Sequence, residues 1–204
     1  MFNLNKEEIK LFSKLNSPQK IQDFLDTLTF NFEKKGETCM SPRRVLREKK
    51  ANCIEAAFFA CACLWLTGEK PLILSLKVND KNDDDHAIAL YKQNGYWGAI
   101  SKTNHSVLRF RDPVYKTVRE LAMSYFHEYF LQANGKKTMT GYSSPINLKK
   151  FGEKWITEEK DLWNMSGFIY DSKHFETVPK LNQKFIRKAH RIERAGANIA
   201  EHVI

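Results

Sequence analysis

The chain has 204 residues, 33 Lys and Arg against 24 Asp and Glu for a formal charge of +9, and few glycines or prolines (9 and 6) beside 14 phenylalanines. That composition excludes a disordered or low-complexity chain and predicts one ordered domain with an aromatic core. The excess of positive charge permits contact with nucleic acid or an acidic partner but says nothing about fold.

In chain order, Asn5 followed by Glu8 predicts a capped helix over "KEEIKLFSKL", and Ser17 with Pro18 predicts another, with Ile21, Phe24, Leu25 and Leu28 on one face. Ser41 and Pro42 repeat that start before "RRVLREKK". These form an expected N-terminal helical layer, residues 1–50. Asn52 is an N-cap residue for a buried helix running to Leu66 and stopped by Gly68 and Pro71. The longest apolar run, Ile54 to Leu66, contains Glu55 and is too short to span a membrane.

From Leu72 the periodicity changes. "LILSLKV" reads as a strand, "NDKNDDD" as a polar loop, and "HAIALYKQ" alternates as a second strand that turns at Asn94 and Gly95 into "YWGAIS". "SVLRFR" is a further candidate strand. Asp112 and Pro113 predict the start of a helix whose Val118, Leu121, Ala122, Tyr125 and Tyr129 share a side. That stripe is a core face or, in a third reading, a homodimer surface. After Asn134, "GKKTMTGYSSPINLKKF" reads as loop, "DLWNMSGFIYDS" as a short strand or turn, and "PKLNQKFIRKAHRIERAG" as a final helix with Phe185, Ala189 and Ile192 on one side. The expected class is α+β: a core over 51–133, with 134–204 as an extension packed on it.

Cys53 opens the buried helix and His86 opens a strand. A thiol in the first turn of a helix faces unpaired amides and the positive end of the dipole, which favours thiolate. A histidine at a sheet end can accept the thiol proton. Cys39, Cys61 and Cys63 have no such placement and read as free core thiols of a cytoplasmic protein.

On "NCIEAA" at Cys53, "LILSLKV", "HAIALY" at His86 and "GYWGAIS", the stretch from about Arg47 to Lys102 resembles the transglutaminase-like superfamily, relatives of papain-type thiol enzymes. The resemblance implies a papain-like core in which cysteine, histidine and an orienting aspartate perform acyl transfer on an amide of a protein or peptide. Here Ser101 occupies the aspartate position. Ser101 and Asn104 are therefore the candidates for orienting His86, and Asp112 is better explained as a helix cap. Water as acceptor gives a peptidase or deamidase; an amine gives a transglutaminase.

The competing class is a binding module on an inactive scaffold. Arg43, Arg44 and Arg47 upstream of the thiol, and Lys184, Arg187, Lys188 and Arg191 on the expected last helix, would contact phosphates or an acidic partner if they converge. "HEYF" lacks the second histidine of a metalloprotease helix, the acidic loop lacks the glycine and glutamate of a calcium loop, and no glycine-rich phosphate loop exists. No cofactor and no metal are expected.

Overall fold

The computed structural model describes residues 2–202. Helices α1 (Lys6–Lys14), α2 (Pro18–Asp26) and α3 (Pro42–Glu48) form the N-terminal layer. Each begins as its cap predicts: Asn5 and Glu8 exchange side-chain-to-backbone bonds, and the Ser17 and Ser41 hydroxyls accept from the amides of Lys20 and Arg44. Two short parallel strands, β1 (Thr29–Phe30) and β2 (Lys50–Ala51), lead into α4 (Cys53–Leu66).

Helix α4 is apolar all round because it is buried all round. Glu55 breaks that pattern for a reason. Its carboxylate accepts from the amides of Asn52 and Met40, the Asn31 side chain and the Thr38 hydroxyl, so the loop 31–40 is tied to the first turn of α4. A buried carboxylate needs partners of this kind.

The remaining strands are β3 (Leu72–Val78), β4 (His86–Gln93), β5 (Tyr96–Ile100), β6 (Arg111–Tyr115), β7 (Met139–Ser143), β8 (Ile146–Asn147) and β9 (His174–Glu176). They make one antiparallel sheet in the order β6-β5-β4-β3-β7-β9, with β8 also pairing β3. The β4–β5 hairpin turns at Asn94 and Gly95, both at positive φ (50° and 87°), as an Asn-Gly turn requires.

Strand alternation gives the sheet two buried faces. Ile73, Ala87, Ala89, Tyr91 and Ile100 pack with α4 and the N-terminal layer. Leu74, Leu76, Ile88, Leu90 and Ala99 pack on the other side with helix α5 (Val118–Phe126). The molecule is α+β, with the helix bearing Cys53 laid on the sheet bearing His86.

Several expectations are corrected. Asp112 and Pro113 lie in β6 and start no helix; α5 begins at Val118, capped by the Thr117 hydroxyl. Proline is tolerated because β6 is an edge strand whose register shifts against β5. "SVLRFR" mostly precedes that strand. Tyr129 lies past the end of α5, though it is buried, and Leu121, Ala122, Tyr125 and Phe126 cover the sheet, so the stripe is core and not a dimer surface.

The region after Asn134 enters the sheet itself. β7 pairs directly with β3, so these residues are structural members of the core sheet and not a layer added to it. On its other edge Gly141 admits the close approach of β9: a Cβ there would lie 3.1 Å from the His174 Cβ and 3.2 Å from the Phe175 carbonyl oxygen. "DLWNMSGFIYDS" contains helix α6 (Trp163–Tyr170), not a strand. The expected last helix is a 3-10 turn, Lys180–Phe185, followed by an irregular stretch and helix α7 (Arg191–Ala197). Of its predicted apolar side only Ala189 is buried, its amide bonded to the Gly135 carbonyl, while Phe185 and Ile192 are exposed. Among the described residues no helix is long and apolar enough to cross a membrane.

Candidate active site

Asn52 caps α4 as its sequence predicts: its side chain accepts from the Glu55 amide, and Glu55 reaches back to the Asn52 amide. This capping box sets Cys53 in the first helical turn. The sulfur lies at the end of the sheet where β4 begins. The Ala87 and Ile54 amides act on it to favour thiolate, and the Tyr170 hydroxyl at the end of α6 is 3.9 Å away. Tyr129, in the cluster on the opposite face, has its pKa raised by burial and, after that, by the Cys53 charge.

The expected lowering of the Cys53 pKa is corrected. Burial outweighs the amides and the Tyr170 hydroxyl, and nearby Asp84 adds to it, so the thiol pKa is raised above its ordinary value. Burial also lowers the His86 pKa to about 4. At neutral pH the resting pair is therefore thiol and neutral imidazole, not an ion pair. Among the described residues no hydrogen bond joins the two side chains.

By strand alternation His86 and Ser101 lie on the same sheet face, and His86 Nε2 is 2.7 Å from Ser101 Oγ. Ser101 Oγ also lies 2.5 Å from the Leu108 carbonyl oxygen. A carbonyl only accepts, so the single hydroxyl proton of Ser101 goes to Leu108 and Ser101 must accept from His86 Nε2–H. That fixes the tautomer and leaves the Nδ1 lone pair free for a proton. Serine thus supplies the orientation a carboxylate would give, without its charge. Gln22 of α2 holds the Ser101 backbone, donating to its carbonyl at 2.9 Å and accepting from its amide at 3.0 Å.

Asn104 takes no part in this arrangement. Its amide nitrogen donates to the His202 carbonyl and its oxygen accepts from the His202 amide, both at 2.9 Å, which uses the group to pin the C-terminal segment. Ser101 is the residue that meets His86.

A cleft of about 540 Å³ is lined by Val78, Asn79, the aspartates 80 and 83–85, and Tyr170; of the residues around the thiol it includes Tyr170 and Asp84 but neither Cys53 nor His86. A larger cavity of about 660 Å³ between residues 29–35, Glu48, Lys50, Glu201 and His202 contains neither Cys53 nor His86.

The basic residues divide. Arg43 pairs with Glu8 at 2.7 Å, Arg44 with Asp161 at 2.6 Å and Arg47 with Glu159 at 2.9 Å, so the upstream cluster ties α3 to α1 and to the segment before α6. These pairs engage the upstream arginines within the fold. Lys184, Arg187, Lys188 and Arg191 are exposed and form no salt bridge among the described residues, but they do not share one helix. Among the described residues no group of three or more His, Cys, Asp or Glu side chains is placed to hold a metal ion.

Tyr170, Gln22, Leu108 and Glu128 escaped the sequence reading. Tyr170 lies in a segment expected to be a short strand or turn; Gln22 meets Ser101 79 positions away, and Leu108 meets Ser101 and Glu128 across 7 and 20 positions through a loop that no local signal marks.

Comparison with protein-family models gives no match to this chain, and comparison with curated proteins gives no significant match.

Proposed function

We propose that the protein is a cysteine-dependent acyl transferase or hydrolase acting on amides, with Cys53 as nucleophile, His86 as general base and Ser101 as the residue that orients the imidazole. The reading includes a papain-like core of the transglutaminase-like type. It is carried by one observation: a thiol in the first turn of a buried helix lies against the amide of Ala87, the residue after a histidine whose Nε2–H is committed to Ser101.

His86 Nδ1 takes the Cys53 proton as the sulfur attacks the carbonyl carbon of an amide, and the proton then passes to the departing amine. Water, or a second amine, attacks the thioester and frees Cys53. The amides of Ala87 and Ile54 and the Tyr170 hydroxyl lie near the sulfur, where they favour its deprotonation. Because thiol and imidazole are both neutral at rest, proton transfer accompanies attack.

The test is the pH dependence of Cys53 alkylation by iodoacetamide in a variant lacking the other three cysteines, with and without His86→Ala. His86-dependent labelling between pH 6 and 8 supports the reading. Labelling that follows the same profile in both proteins makes Cys53 a core thiol and defeats it.

A further inference from the structure

We propose that Glu128 and Leu108 are positioning residues that hold His86 in its proton-accepting tautomer, an inference that rests on the Cys53–His86 reading for its catalytic meaning. Leu108 has φ 59°, in the left-handed region. For a bulky residue without local compensation that conformation costs roughly 1–2 kcal/mol, so it persists only where the surroundings impose it.

The surroundings here are explicit. The Leu108 amide donates to Glu128 Oε2 at 2.6 Å, and its carbonyl accepts from Ser101 Oγ. The other oxygen of Glu128 takes Arg111 Nη2 at 2.6 Å. Arg111 is itself fixed, its Nε donating to the Ser124 hydroxyl at 3.0 Å and its guanidinium lying 4.1 Å from the Tyr125 ring centre. The resulting chain runs from Arg111 through Glu128, Leu108 and Ser101 to His86 Nε2.

The chemistry of Ser101 makes this chain matter. A serine hydroxyl can donate to an imidazole nitrogen as readily as accept from one, whereas a carboxylate only accepts. Serine therefore fixes the tautomer only while the Leu108 carbonyl takes its proton. If Leu108 leaves the left-handed conformation, the Ser101 proton is free to turn to His86 Nε2. The imidazole proton then resides on Nδ1, and Nδ1 can no longer accept from Cys53.

The test uses the full-length protein. Long-range proton–nitrogen correlation spectra report which ring nitrogen of His86 carries the proton, and iodoacetamide reports Cys53. Wild type is expected to show Nε2–H at neutral pH. Glu128→Ala is expected to move the proton to Nδ1 and slow Cys53 labelling, by up to the roughly 10²–10⁴-fold that a general base contributes. Adding Leu108→Gly, which takes positive φ without strain, is expected to restore both. A folded Glu128→Ala that keeps Nε2–H overturns the proposal, and so does Nδ1–H in the wild type, a result that needs no variant to fold. Because the tautomer is read without turnover, its outcome is separate from that of the acyl-transfer reading.

Discussion

Gln22 and Ser101, 79 positions apart, are joined by two hydrogen bonds in which one side-chain amide satisfies both the carbonyl and the amide of the serine backbone. The remaining proton of Gln22 Nε2 goes to Asp26 at 2.8 Å. Gln22→Ala leaves the buried Ser101 peptide groups unpaired and is expected to destabilise the fold by about 1–3 kcal/mol. Gln22→Glu keeps the acceptor but sets a carboxylate against two other acceptors, so it is expected to be no better than alanine. Urea midpoints of the three proteins check this; an unchanged midpoint in Gln22→Glu would refute it.

His86 gives stability a defined pH dependence. Its folded pKa is about 4 against an ordinary 6.5. Between those values the unfolded chain binds a proton that the folded chain does not, so stability falls as pH falls through that window and levels off below it. The span corresponds to roughly 3 kcal/mol. His86→Asn is expected to remove that part of the pH dependence, measured as the urea midpoint from pH 7 to pH 4. Parallel curves for the two proteins would contradict the assignment.

The four thiols are expected to separate kinetically. Cys39, Cys61 and Cys63 are buried, with the Cys39 pKa pushed up to about 12, while Cys53 retains surface exposure. Ellman's reagent should therefore modify Cys53 well before the others in native protein and all four together in denaturant. Equal native rates would mean that the core opens as a unit.

Tyr170 favours the Cys53 thiolate by hydrogen bonding. Tyr170→Phe removes that bond while keeping the ring, so the Cys53 labelling profile is expected to move to higher pH. An unchanged profile would show that burial by the ring, and not the hydroxyl, governs the thiol.

Glu55→Ala removes a carboxylate that accepts four hydrogen bonds under α4. Its loss is expected to destabilise the protein by more than about 3 kcal/mol, because bonds to charged groups are the stronger ones and every donor is left without its partner. A thermal melt within a few degrees of wild type would argue against that role.

What the sequence made legible was local. Caps at Asn5, Ser17, Ser41 and Asn52, the Asn-Gly turn and the alternation of β4 each depend on a few neighbouring residues, and each expectation agrees with the structure. Pro113 misled because proline marks both helix starts and edge strands, and only the tertiary position of β6 decides between them. β7 was hidden because Thr140, Gly141 and Ser143 lack the apolar alternation of a strand; its pairing with β3 is long-range. The meeting of His86 with Ser101 follows from strand register, but the direction of the Ser101 proton depends on Leu108 and could not be read from serine alone. The thiol's position was legible, whereas its electrostatics were not, since burial by α6 and the sheet outweighs the helix terminus.

Pro113 has one more effect. A sheet's outer strands present unpaired backbone groups that can recruit other chains into continuous sheets. Here one margin carries a proline and a register slip, and the other ends in the three-residue β9. Neither margin offers a long, regular template, so the same irregularity that obscured β6 in the sequence guards the folded protein against growing into aggregates strand by strand.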